Sequence, residues 1–92
     1  MSSKFVAMKS NKNGPSCVGI YNTHSEAIAA IIQDVRRLVS EATDPSIGAA
    51  VSFFDESDIE GFLRYGDHRF SIRIYHQHGQ ITELKWRIQE VK

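Results

Sequence analysis

A run of apolar residues with helical spacing, between positions 28 and 42, is the feature that most constrains the fold. Its members recur at steps of three and four residues, which places them on one helix face and leaves polar residues on the other. They are Ile28, Ile31, Ile32, Val35, Leu38, Val39 and Ala42. Thr23 and Glu26 have the spacing of a capping box, so we expect the helix to begin there. Asp44 and Pro45 should end it, because proline disfavours a helical conformation at the preceding residue.

Two short strands are predicted before this helix. Phe5–Met8 and Cys17–Tyr21 are apolar runs of strand length. Asn13, Gly14 and Pro15 lie between them and favour a turn, because Gly and Asn tolerate positive φ. We therefore expect a hairpin, with the only cysteine buried in its second strand as a small apolar residue.

The chain after the helix is predicted to form sheet. Ala49–Phe54 is an apolar strand, and Asp55–Asp58 is a polar turn. Glu60–Tyr65 is expected as the next strand, and a two-residue turn at Gly66 and Asp67 joins it to two strands with alternating apolar residues. These alternating residues are Phe70, Ile72, Ile74, Leu84, Trp86 and Ile88.

Together these segments predict one α+β domain over residues 1–92. We expect an antiparallel β-sheet of about five to six strands with one amphipathic helix packed on one face, in the order ββαββββ. A single cysteine excludes an internal disulfide and a thiolate zinc cage. No apolar run approaches the roughly 18 residues of a membrane span, and Met1–Lys9 lacks the apolar segment of a secretion signal. These features predict a cytoplasmic protein that makes no membrane contact.

Charge is balanced in total but uneven along the chain. Eleven basic and eleven acidic residues cancel, so no global field draws the protein onto DNA or an anionic membrane. Residues 1–25 carry three lysines and no acid, residues 26–60 carry eight acids against two arginines, and residues 61–92 carry six basic residues against three acids. The chain is therefore basic, then acidic, then basic again.

A three-residue loop at Gln77–Gly79 would set the register of the last two strands. Counting from it places Arg73 opposite Glu83 on the solvent side, which is a favourable pair. The same count places Arg69 opposite Arg87, and like charges directly opposite each other in a sheet are unfavourable. A binding function would explain such a pair.

Counting through the turn at 66–67 places Arg64 opposite Arg69, which would extend the pair to a row of three arginines with Arg87. Tyr75 lies on the same predicted face and offers a stacking surface, with Lys85 and Arg73 close by. Arginine suits bidentate contact with phosphate or carboxylate, so we hypothesise a site for a nucleic-acid backbone or an acidic protein patch. The row requires all three arginines on one face. The alternative is an ordinary solvated sheet face with a different register.

Further charged groups could contact a partner. Asp55, Glu56 and Asp58 could dock on a basic surface, and Arg36 and Arg37 lie on the polar face of the helix. Both sets also have an ordinary explanation as solvated charges, or as helical ion pairs.

Catalysis and metal binding find little support in the sequence. The histidines have no metal-site spacing, and no nucleophile with a base can be argued from position. They are His24, His68, His76 and His78. We therefore expect a binding protein that is not an enzyme and has no cofactor, and we rank a small histidine-dependent enzyme last.

Three segments carry a resemblance to a known class of small proteins: MSSKFV at residues 1–6, VGIYNTHSEAI at 18–28 and HRFSIRIY at 68–75. Taken over its whole length, the chain resembles small phage-encoded anti-CRISPR proteins, in particular inhibitors of the type I-F system. That class has no common catalytic or binding motif, so no residue role is carried over from it.

The resemblance implies a stoichiometric inhibitor in the cytoplasm of the bacterial host. Such a protein would dock on the crRNA-guided type I-F surveillance complex, contact its Cas subunits and guide RNA, and block recognition of target DNA. We expect the acids near 55–60 to face lysine-rich Cas surfaces and the arginine row to face guide RNA or acidic protein. The alternative is a small nucleic-acid-binding module that uses the basic sheet face.

Overall fold

The computed structural model describes residues 3–42, 50–51, 56–65, 69–77 and 79–91. Five strands and two helices are present in these ranges. In chain order they are β1 (Lys4–Asn11), β2 (Gly14–Tyr21), α1 (His24–Ala42), β3 (Ala50–Val51), α2 (Glu56–Tyr65), β4 (Arg69–Tyr75) and β5 (Ile81–Val91).

The strands form one antiparallel sheet in the order β2-β1-β5-β4-β3. Four strands are long, and β3, of which the structure describes two residues, lies at one edge. The first and last long strands pair in the middle of the sheet, where Lys4 lies opposite Val91. The α+β class with an antiparallel sheet is therefore confirmed.

The two helices pack on the same face of the sheet. The buried residues of α1 include Ile28, Ile31 and Val35. On the sheet, the helices cover the apolar residues of β4. They also cover Leu84, Trp86 and Ile88 of β5. The N-cap bond of the predicted capping box is confirmed, since the amide of Glu26 donates to the Thr23 hydroxyl at 3.1 Å, and that hydroxyl in turn donates to the Glu26 carboxylate at 3.0 Å. Within the described ranges, neither helix combines the length and apolarity needed to cross a membrane.

The predicted strand Glu60–Tyr65 is wrong, because Glu56–Tyr65 forms the helix α2. Ile59 and Leu63, four residues apart, are both fully buried, whereas Tyr65 is 84% exposed. A strand would place Leu63 and Tyr65 on the same face, but a helix separates them. The order of elements is ββαβαββ, with two helices where one was expected.

The hairpin between β4 and β5 has the predicted register. Phe70 lies opposite Trp86 and Arg73 lies opposite Glu83. Gly79 has a φ of 82°, a left-handed conformation that glycine adopts without steric cost. The amide of His76 donates to the carbonyl of Gln80, which closes the loop.

A β-bulge in the first hairpin overturns the expectation that Cys17 is buried. Ala7 pairs with Gly19 and Met8 pairs with Cys17, so Val18 is the extra residue of β2. Val18 packs against the core, and the cysteine thiol is exposed on the other side of the sheet.

Some expected features lie outside the described residues. They include most of the strand Ala49–Phe54, the turn at Gly66 and Asp67, the helix stop at Pro45, and the residues Asp55, His68 and His78.

The side chain of Asp34 connects α1 to the centre of the sheet. Its carboxylate accepts a hydrogen bond from the indole N–H of the fully buried Trp86 at 2.8 Å. It also pairs with Lys9 at 3.3 Å and with Arg37 at 2.6 Å. Burial raises the pKa of Asp34, but hydrogen bonds from Trp86, Arg37 and Lys9 outweigh burial and lower the pKa overall.

Candidate binding surface

Both helices cover one face of the sheet and leave the other face uncovered by any described element. We call this uncovered side the open face. Its side chains alternate with the buried ones, and β4 shows this alternation at every residue. A sheet with one uncovered face can use that face for binding, and the composition of the face decides what it can bind.

The open face has two chemically different halves. The basic half, on β4 and β5, consists of Arg69, Ser71, Arg73, Tyr75, Glu83, Lys85 and Arg87. The half on β1 and β2, called the apolar half, includes Val6, Met8, Cys17 and Ile20, and Lys4 lies on the same face at the start of β1. The two halves meet where β1 pairs with β5. Met8 lies opposite Arg87 at this boundary.

Arg69 and Arg87 lie directly opposite each other in the basic half, as the sequence predicts. Arg69 makes no hydrogen bond or ion pair with any described residue. Arg87 donates to the side-chain carbonyl of Gln89 at 2.9 Å. Neither guanidinium is therefore neutralised by a carboxylate of the described chain.

The remaining cations of the basic half share one carboxylate. Glu83 pairs with Lys85 at 3.2 Å and with Arg73, also at 3.2 Å. The hydrogen bonds from Lys85 and Arg73 lower the pKa of Glu83. The hydrogen bond to Glu83 makes the largest contribution to a raised pKa of Arg73. The nearby hydroxyl of Tyr75 raises this pKa further. Among the described residues of this half, four cationic side chains thus face solvent with a single anion between them.

Two hydroxyls complete the surface around the unneutralised arginines. Ser10 of β1 and Ser71 of β4 lie opposite Lys85 on its two sides, so the three residues form a row across three strands. An open depression of about 570 Å³ adjoins this row. Its lining combines Ser10, Arg69, Ser71, Lys85 and Arg87 of the open face with Phe62, Phe70 and Trp86, which belong to the helix side of the sheet.

Exposed hydrophobic side chains lie at two places on the open face. Ile20 is 65% exposed on the edge strand β2. At the other end of the face, Tyr75 lies opposite Ile81, and these side chains are 41% and 56% exposed. Apolar groups therefore flank the basic half on two sides, which is the composition of a protein or nucleic-acid contact surface.

The predicted row of three arginines is wrong. Arg64 is on α2, on the far side of the sheet from Arg69 and Arg87, because the segment is helical. It donates to the Ser25 hydroxyl at 3.1 Å and pairs with Glu60 at 3.4 Å. Arg64 therefore links the two helices and takes no part in the open face.

The other candidate residues also lie on the helix side. Arg36 and Arg37 are exposed on α1, and Arg37 pairs with Glu41 at 3.3 Å in addition to Asp34. Asp58 is exposed on α2. The side chain of Glu56 and all of Asp55 are outside the described residues. The sheet thus separates the described acids of α2 from the basic half.

The described histidines make local contacts. The His76 ring bonds to the Thr82 hydroxyl at 2.9 Å, and the His24 ring lies 5.4 Å from that of Phe5. Among the residues that the structure describes, no three His, Cys, Asp or Glu side chains are grouped as metal ligands would be.

The chain matches no family model, no curated protein and no solved structure. Function must therefore be inferred from the chemistry of the open face.

Sequence reasoning missed Ser10, Ser71 and the apolar half. Ser71 could have been placed by its alternation with Phe70 and Ile72. Ser10 could not, because its position beside Lys85 depends on the pairing of the first and last long strands. No local pattern in the sequence specifies that pairing.

Proposed function

We propose that this protein acts by binding a macromolecular partner through the open face. The observation that carries the proposal is the pair of opposed, unneutralised arginines Arg69 and Arg87, flanked by exposed apolar residues. A solvated face with no partner would be more stable with a carboxylate opposite one of them, as Glu83 is opposite Arg73. Binding of an anionic surface would compensate the repulsion.

The partner that we propose is the crRNA-guided type I-F surveillance complex, for which the protein would be a stoichiometric inhibitor of target DNA recognition. This choice rests on the resemblance of the sequence to anti-CRISPR proteins. Two features of the structure are consistent with it. The basic half suits an exposed RNA backbone or acidic protein, and the apolar half suits a protein surface next to it.

The direct experiment is co-purification of tagged protein with a type I-F complex that carries its guide RNA. A target-DNA gel shift in moderate salt then follows on the recovered complex. We expect a stable association and loss of DNA binding at a stoichiometric ratio. The absence of any association would overturn the proposed partner.

A free nucleic acid is the second candidate partner. The arrangement that favours it is the exposed ring of Tyr75 on the same face as four cations, because single-strand binders combine stacking rings with a basic surface. This partner would be indicated by affinity for free RNA or DNA in the absence of any Cas protein. That affinity should fall steeply as the salt concentration rises.

A further inference from the structure

We propose that Arg69, Arg87 and Lys85, together with the hydroxyls of Ser10 and Ser71, form a site for the phosphate groups of a single-stranded nucleic-acid backbone. This inference rests on the proposed function and deepens it, because it names the part of a guide-bearing complex that the open face contacts. A separate experiment tests it.

The two arginines have unused hydrogen-bonding capacity. Each guanidinium has five N–H donors in a planar fork. Arg69 uses none on any described residue, and Arg87 bonds only to the neutral amide of Gln89. Directly opposite residues of an antiparallel pair have Cβ atoms roughly 5 Å apart, so both forks can reach one anion between them.

Neutral donors surround the arginine pair. Ser10 and Ser71 flank Lys85 in the next row along β5, and all three line the same depression as the two arginines. Hydroxyls add donors without adding repulsion. Lys85 pairs with Glu83 at 3.2 Å, so the two arginines and the two hydroxyls are the donors of the cluster that no described carboxylate engages, and such a set is suited to an oxyanion.

The geometry of the cluster favours phosphate over carboxylate. A phosphodiester has two non-bridging oxygens in a tetrahedral group, so each can face a different guanidinium. A carboxylate can also bridge two cations, as Glu83 bridges Arg73 and Lys85, so the spacing of the cations along the strand carries the distinction. The basic half also extends along β4, where Arg69 and Arg73 lie four residues and roughly 13 Å apart. This spacing accommodates a chain of successive phosphates better than one isolated acidic side chain.

The ring of Tyr75 lies beyond Arg73 on the same strand. It is 41% exposed, and its neighbour across the strands is the exposed Ile81. Unpaired bases stack on such rings, whereas the bases of a duplex are already stacked on each other. The surface therefore favours a single strand.

The test is fluorescence anisotropy with a labelled oligouridylate of about ten nucleotides, which is within the site size of known single-strand binders. We expect Arg69→Ala and Arg87→Ala each to lower the affinity about tenfold, since each removes charge-assisted hydrogen bonds to phosphate. Each variant should also reduce the slope of log K against log salt concentration by roughly 0.7 for every phosphate that it no longer neutralises. Ser71→Ala should lower the affinity by a smaller factor.

The matched control is Arg36→Ala, which removes the same charge from the solvent side of α1. It should bind the oligonucleotide as the wild type does. Two competitors complete the design: an oligonucleotide of the same length with an uncharged methylphosphonate backbone, and an oligoglutamate peptide. We expect neither to displace the RNA. Urea midpoints equal to that of the wild type would show that the variants are folded.

Three results would overturn the inference: no binding of the RNA by the wild type, equal decreases in affinity for Arg36→Ala and Arg69→Ala, or displacement by oligoglutamate. The outcome is separable from that of the proposed function. Capture of the surveillance complex without RNA binding would refute only the phosphate site. RNA binding without capture would refute only the partner.

Discussion

Asp34 of α1 makes polar contacts with two strands of the sheet, at Lys9 and at Trp86. Its carboxylate is largely buried and satisfies the indole of Trp86, a side chain at the centre of the core. A buried donor left without its acceptor costs far more than an exposed ion pair contributes. The residue therefore adds a polar link to the apolar packing that holds α1 on the sheet.

Replacement of Asp34 by alanine should lower the free energy of unfolding by about 1–3 kcal/mol, because the Trp86 indole loses its acceptor. Glu41→Ala is the control. It removes an exposed partner of Arg37 and should change stability by less than about 0.5 kcal/mol. Urea denaturation followed by circular dichroism measures both. Equal effects of the two substitutions would contradict the structural role of Asp34.

The lowered pKa of Asp34 also predicts a pH dependence of stability. A carboxyl with a depressed pKa in the folded state contributes stability above its ordinary value, here 3.8, and loses it as pH falls through the folded value. The difference in unfolding free energy between the wild type and Asp34→Asn should be constant near neutral pH. It should shrink below about pH 4. A difference that does not vary with pH would refute the lowered pKa.

At the level of elements, α2 is held in the core by two fully buried residues, Ile59 and Leu63. Gly61 lies in the middle of this helix, and a Cβ added there meets no atom within 4 Å. Gly61→Ala should therefore raise the free energy of unfolding by about 0.5–1 kcal/mol, since alanine favours the helix and restricts the unfolded chain. Urea denaturation measures the change, and a clear destabilisation would speak against a helix at this position.

Alanine substitutions of one buried and one exposed residue of α2 distinguish a helix from a strand. Leu63→Ala should destabilise by about 2–5 kcal/mol because its side chain is fully buried. Tyr65→Ala should change little, because that ring is 84% exposed. Comparable destabilisation by the two substitutions would indicate a strand. The midpoints of urea unfolding measure both effects.

Local signals in the sequence were sufficient to predict some elements of the fold and insufficient to predict others. The capping box at Thr23 and the left-handed Gly79 specify α1 and the β4–β5 register within a few residues. In α2, Leu63 and Tyr65 fit the alternation of a short strand equally well, and only the packing of α2 against α1, with Ile59 fully buried, selects the helix. The pair Arg69–Arg87 was predictable because a hairpin sets it.

At the scale of the whole molecule, the net charge of zero hides a separation of charge. The described acids of the middle block lie on the helix side, whereas four cations of the last block lie on the open face. A basic excess thus lies on the open face, with Glu83 as the described acid of its basic half, whereas the helix side carries acids together with Lys9, Arg36, Arg37 and Arg64. Such a molecule has an oriented field that can steer it onto an anionic surface with the open face first.

Charge reversals on the two sides of the molecule give the sharpest test of binding through the open face. Arg69→Glu and Arg36→Glu change the net charge equally, but only the first changes the open face. In co-purification with the guide-bearing type I-F complex, we expect Arg69→Glu to abolish association and Arg36→Glu to retain it. Retention by Arg69→Glu together with abolished association of Arg36→Glu would show that the helix side binds the partner, and would contradict binding through the open face.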